Sequence, residues 1–185
     1  MTRILSCLTA VAAGAALAAR RLTSVPRPLL LTIFAAIMAL AAAPAAAQQN
    51  VYVMRHLDTQ AGQADPDLLP EGRRAAEALA GWFRDERPVA IYVTDYRRTR
   101  QTVAPLAARL GLTPIVYDPR DTLGLVARVR GEHGPVLIVG HSNTVPEIIA
   151  ALGGERPAPL GHDDFGDVWR VAPGGATTRM RIETQ

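Results

Sequence analysis

The chain has 185 residues and a formal charge of +3, and the positive excess sits in residues 1–47, which carry Arg3, Arg20, Arg21 and Arg27 and no acidic residue. The remaining 138 residues hold 16 arginines, no lysine and 17 acidic residues; that balance excludes the basic surface of a nucleic-acid-binding protein, and the length suits one compact domain. Cys7 is the single cysteine, so residues 48–185 can form neither a disulfide nor a thiolate metal site.

In chain order, residues 1–47 read as an export leader. A basic edge at Arg27, an apolar run over 29–40 and the small residues Ala45-Ala46-Ala47 make a signal-peptide pattern. The mature domain is expected over 48–185, periplasmic or secreted. Counting the apolar run through Ala47 brings it near the ~20 residues of a membrane span. A retained N-terminal membrane anchor is therefore the alternative, and the only membrane contact expected.

Beyond the leader, strands and helices alternate. Residues 50–54 read as a strand and 71–83 as a helix, with Ala75, Leu79, Trp82 and Phe83 on one face and Pro70 in its first turn. A continuous apolar strand over 89–93 precedes a helix over 97–110, with Val103, Leu106 and Leu110 inward, Pro105 inside it and Gly111 as its stop. A short strand (113–117), a short helix (122–130), an apolar strand (135–139) and a helix (145–152) follow. A hairpin over 168–172 and 177–183, turning at Pro173-Gly174-Gly175, ends the chain. Apolar strands alternating with helices predict a mostly parallel sheet covered on both faces.

Ligands of open α/β sheets bind at the carboxyl ends of the strands. Arg55-His56 ends the first strand, "TDYRRTRQT" follows the second, and "GHSNT" follows the strand "PVLIV". Three segments therefore bring Arg55, His56, one or more of Arg97, Arg98 and Arg100, and His141 to one sheet edge. Two histidines and at least two arginines there make a site for a dianion. His133 and His162 sit in Gly-flanked loops and read as surface residues, Asp163, Asp164 and Asp167 as solvated, and Trp82 and Trp169 as core.

The blocks "MRH", "DPDLLPEGRRAAEALA", "YRRTRQT" and "VGHSNT" resemble the histidine phosphatase (phosphoglycerate mutase-like) superfamily over residues 50–153, and most of all its small phosphatases near the phosphohistidine phosphatase branch. The resemblance implies a three-layer α/β/α sandwich with a mostly parallel central sheet. It also implies a phosphatase acting on a phosphorylated small molecule or phosphoprotein, with no metal or other cofactor. His56 would be the nucleophile, transiently phosphorylated, with Arg55 beside it, Arg98 as the pocket arginine and His141 as the second histidine. Arg97 and Arg100 are expected to be solvated or paired. Thr59 and Asn143 are candidates for further donors to phosphate.

Phosphoryl transfer spreads negative charge over three oxygens, so its catalysis is chiefly positioning and electrostatic stabilisation. A neutral His56 can attack phosphorus and store the group until water removes it, while His141 is expected to act protonated. Two features depart from the family. Leu57 stands where many members have Gly, so it either narrows the approach to His56 or turns away. No standard general acid is present either: "LTPIVYDPRDTLG" contains no Glu, and Ser142 follows His141 where an Asp stands in the acid phosphatases. Asp118 and Asp58 are the possible substitutes. Without an acid, a phosphate-binding or regulatory domain with little turnover is the alternative function.

Overall fold

The computed structural model describes residues 49–183; the expected leader, with Cys7, lies outside the described residues. One sheet contains β1 (Val51–Arg55), β2 (Ala90–Val93), β3 (Ile115–Val116), β4 (Val136–Gly140), β5 (Asp167–Val171) and β6 (Thr177–Arg181), in the order β3-β2-β4-β1-β5-β6. The first four strands pair in parallel, and β5 and β6 run antiparallel at one edge. The helices α1 (Pro70–Trp82), α2 (Arg97–Leu110), α3 (Thr122–Arg130) and α4 (Val145–Ala151) connect successive strands up to β5. Among the described residues no helix is long and apolar enough to cross a membrane.

Strand periodicity divides the core between two faces. Tyr52, Met54, Ile91, Val93, Leu137 and Val139 pack with Leu79 and Phe83 of the α1 region and Val103 and Leu106 of α2. The alternate residues Val51, Val53, Ala90, Tyr92, Val136 and Ile138 pack with Leu125 and Val129 of α3 and Ile148 and Ile149 of α4. The result is the expected three-layer α/β/α sandwich. Burying each of the larger apolar side chains contributes about 1.5–3 kcal/mol, which is why the central strands are apolar without interruption. Trp169 lies in the second cluster and Trp82 against the first, both as core aromatics.

Two expectations need correction. The strand predicted over 113–117 narrows to Ile115–Val116, an edge strand with a neighbour on one side only, and both residues are exposed. Asp167 is not solvated: it is buried and accepts hydrogen bonds from Arg179 (2.6 Å) and Arg181 (3.4 Å) across the terminal hairpin.

The glycine of "LLPEG" has a specific packing role. A Cβ on Gly72 would stand 2.6 Å from the carbonyl oxygen of Asp58 and 3.0 Å from its nitrogen. The same carbonyl accepts the Leu69 N–H at 2.9 Å. The first turn of α1 is thus seated on the backbone two residues beyond His56. Gly72→Ala should cost about 2 kcal/mol in urea unfolding through overpacking and should lower activity by shifting the loop that carries His56. Unchanged stability would show that the loop yields freely.

Candidate active site

The register pairs Arg55 with Gly140 and Val93 with Val139, so the segments leaving β1, β2 and β4 lie side by side. The His56 N–H extends the ladder one step by donating to the Gly140 carbonyl at 2.9 Å. Next along the chain, the Leu57 N–H donates to Thr102 Oγ1 at 3.0 Å, and the Thr102 hydroxyl donates to the Arg98 carbonyl at 2.8 Å. Leu57 is wholly buried in the first core cluster, so it turns away from the approach to His56. The nucleophile candidate is held by the sheet on one side and by α2 on the other.

His56 is 5% exposed, and its Nδ1 lies 2.8 Å from the Leu57 carbonyl. A carbonyl only accepts, so Nδ1 carries the proton and Nε2 keeps its lone pair. Burial pushes the His56 pKa down to about 3; the Leu57 carbonyl opposes this, and the charges of Arg55 and Arg98 reinforce it. The ring is therefore neutral at physiological pH. Its centroid is 5.4 Å from that of His141, and the planes are inclined at 62°.

A cavity of about 330 Å³ is lined by His56, Tyr96, Arg98, Pro119, His141, Ser142, Asn143 and Thr144. Arg98 is held by the segment before α1: its Nη1 donates to the Ala64 carbonyl (3.0 Å) and to Asp65 Oδ1 (3.3 Å). Its guanidinium carbon lies 4.2 Å from the Tyr96 ring centroid, and Nη2 is 3.4 Å from His141 Nδ1. Asp65 also accepts the Arg97 N–H at 3.0 Å, capping a helix whose own N-cap side chain makes no such bond. Gln101 ties the same segment down, accepting from the Leu68 N–H and donating to Asp67. Arg97 and Arg100 are paired with Asp67 and Asp95 at the surface, as expected.

The other predicted residues divide clearly. Asn143 lines the cavity; Thr59 does not, and it pairs through its backbone with Leu68. Arg55 is buried and is not among the residues that line the cavity. Its Nη1 donates to the carbonyls of Gly161 (2.8 Å), His162 (2.9 Å) and Asp164 (3.3 Å), and its Nε is buried with no partner. Asp118 is bound by Arg120 through the backbone N–H (2.9 Å) and the guanidinium (2.9 and 3.1 Å), which holds its carboxyl below the usual range. That shift is opposite to what a proton donor needs. Asp58 is not among the residues that line the cavity.

Burial, then the charges of Arg98 and Arg55, push the His141 pKa down to about 4, so it is neutral rather than protonated in the free site. The segment 161–165 before β5 also went unrecognised in the sequence. It supplies the carbonyls that hold Arg55, and Phe165, whose centroid is 4.0 Å from the Arg55 guanidinium carbon and 5.8 Å from the His56 ring. No local pattern distinguished it from an ordinary loop. Thr94 and Tyr96 lie inside the "TDYRRTRQT" block, where the arginines carry the stronger signal.

The two depressed pKa values imply a pH-dependent stability. An unfolded chain protonates both rings below about pH 6.5 while the folded chain does not, so protons favour unfolding as pH falls. Stability should be full above about pH 6.5 and lose on the order of 6 kcal/mol by pH 4, about 3 kcal/mol from each of these two groups. His56→Gln should remove about half of that loss. Urea midpoints for both proteins between pH 7.5 and 4.5 measure it, and parallel curves would overturn the assignment.

The family model described as histidine phosphatase superfamily (branch 1) matches residues 51–120. No curated protein matches the chain. Among solved structures, the protein histidine phosphatase SixA complexed with tungstate is similar at 20% identity and a TM-score of 0.57, over 71% of this chain and 96% of that one. A mycobacterial glucosyl-3-phosphoglycerate phosphatase with inorganic phosphate aligns at 17% identity and a TM-score of 0.55, over 73% and 97%. The phosphoserine phosphatase of Entamoeba histolytica with 3-phosphoglyceric acid aligns at 14% and 0.55, over 74% and 98%. At these identities the structures establish a shared fold.

Proposed function

We propose that the chain is a histidine-type phosphatase of the histidine phosphatase superfamily, whose model matches residues 51–120, and that it works through a phosphohistidine on His56 Nε2, with a substrate whose leaving group departs without a strong acid. The observation that carries this reading is the orientation of His56: Nδ1–H is committed to the Leu57 carbonyl, which leaves Nε2 as the lone pair on a cavity wall shared with Arg98 and His141. Nε2 bonds to phosphorus, the bond to the leaving oxygen or nitrogen breaks, and that atom takes the electron pair. Arg98 binds phosphoryl oxygens with its planar fork, and Asn143 adds a neutral donor. Arg55, buried beside the site, contributes positive charge.

Asp118 is held ionised by Arg120 and neither it nor Asp58 lines the cavity of His56, which favours aryl phosphates, acyl phosphates and phosphohistidine over alkyl phosphates. SixA, a protein histidine phosphatase, is consistent with that class. A panel of these compounds with acid- and base-quenched phosphoenzyme assays tests the reading. An acid-labile, base-stable phosphoenzyme and a preference for the good leaving groups are expected. Phosphate affinity without turnover on any member would favour a binding module instead.

Export is part of the same proposal, supported by the signal-like pattern of residues 1–47. The N-terminus of the protein recovered from its host should begin near Gln48. An intact Met1 on a membrane-bound protein would favour the anchor, and an intact Met1 on a soluble one would overturn export.

A further inference from the structure

The hydroxyl groups of Thr94 and Thr99 stand in line behind His141. Thr94 is fully buried at the end of β2, with Oγ1 2.9 Å from His141 Nε2 and 3.2 Å from Thr99 Oγ1. Thr99, also fully buried, lies 2.8 Å from the carbonyls of Thr94 and Tyr96. Each hydroxyl has one proton to donate, and carbonyls only accept. The Thr99 proton therefore goes to a carbonyl, and its oxygen receives the Thr94 proton. That leaves the Thr94 oxygen as the acceptor for His141, so Nε2 carries the ring proton. At the other end, Arg98 Nη2 can only donate, which agrees with a lone pair on His141 Nδ1 at 3.4 Å. The chain of donors runs one way, and it holds His141 in the tautomer opposite to that of His56.

We propose that Thr94 and Thr99 are positioning residues that keep the His141 Nδ1 lone pair available to take a proton from the water that hydrolyses phospho-His56. In that step the water oxygen bonds to phosphorus while the P–Nε2 bond breaks and its electron pair returns to His56. One water proton passes to Nδ1 of His141, the other leaves within hydrogen phosphate, and His141 then releases its proton to solvent. The inference rests on His56 being the phosphoryl carrier. The groups facing His141 are Arg98 and Tyr96 from the α2 side, Arg55 and His56 from the end of β1, and Asp65 from the segment before α1. A phosphoryl group on His56 supplies the negative charge that offsets the two arginines and makes Nδ1 a better base.

Rapid-quench kinetics on the full chain with 4-nitrophenyl phosphate separate the two steps, as the burst of nitrophenol and the decay of the phosphoenzyme. Thr94→Val should slow the decay by roughly 30-fold while changing the burst rate by less than about 3-fold, and Thr94→Ser should restore the decay. Thr99→Val removes the far acceptor through a different residue and should slow the decay selectively too, so the outcome does not depend on one variant folding well. Nitrogen-15 shifts of His141 should report Nε2–H in the free protein. Equal slowing of burst and decay, failure of the serine to restore, or Nδ1–H on His141 would each overturn the proposal alone. Absence of any phosphoenzyme in the wild-type chain would instead sink the reading of His56, and this step with it.

Discussion

His56→Ala should abolish phosphate release, by roughly 10⁴-fold or more in kcat/KM, and should leave the fold intact. The size follows from losing the atom that forms the covalent intermediate, which no neighbouring group can replace. His141 is the nearest imidazole, but its Nε2 is committed to Thr94 and its Nδ1 serves the attacking water rather than phosphorus. The fold survives because the lost ring is neutral and its side chain makes one hydrogen bond, to the carbonyl of the next residue. Leaving that carbonyl unpaired costs about 1–3 kcal/mol. Initial rates on an aryl phosphate with a thermal melt of the variant measure both effects. Residual turnover within tenfold of the wild type would show that phosphate reaches water without passing through His56.

Arg98→Ala should lower kcat/KM by about 10³-fold and Arg98→Lys by about 10²-fold. A lysine keeps the charge but loses the fork that can bond two phosphoryl oxygens together. It also loses the arrangement that fixes the fork in place, in which Nη1 reaches Ala64 and Asp65 and the guanidinium plane rests on Tyr96. Part of the alanine effect arises from the segment 64–68, which would keep Asp65 on the Arg97 N–H but lose the Arg98 contacts. Inhibition by inorganic phosphate should weaken in parallel, since the same oxygens are bound. A lysine variant with wild-type kcat/KM would mean that a point charge suffices and that the fork has no role.

The alternation of apolar strands and helices was legible because burying both faces of a parallel sheet demands uninterrupted apolar runs, and those runs stood out at β1, β2 and β4. His56, Arg98 and His141 were legible for a related reason: each is the polar residue at, or shortly beyond, the end of such a run. The two-residue β3 was blurred because an edge strand needs little apolar character. Asp118 misled because one side chain, Arg120, two residues away, captured it. Phe165 and the carbonyls of 161–165 carry no sequence signal, because a backbone acceptor is the same group in every residue.

By itself the sequence determined the layer architecture and the cluster of histidines and arginines at one sheet edge, since periodicity and strand-end position are properties of order along the chain. The tertiary structure alone decided which of those groups face the cavity and which proton each imidazole holds. Arg55 is held by three carbonyls more than 100 residues further along the chain. The Leu57 carbonyl leaves a lone pair on Nε2 of His56, and Thr94 leaves one on Nδ1 of His141. Tautomer and orientation depend on hydrogen-bond partners brought together by folding, so two identical side chains acquire opposite chemistry.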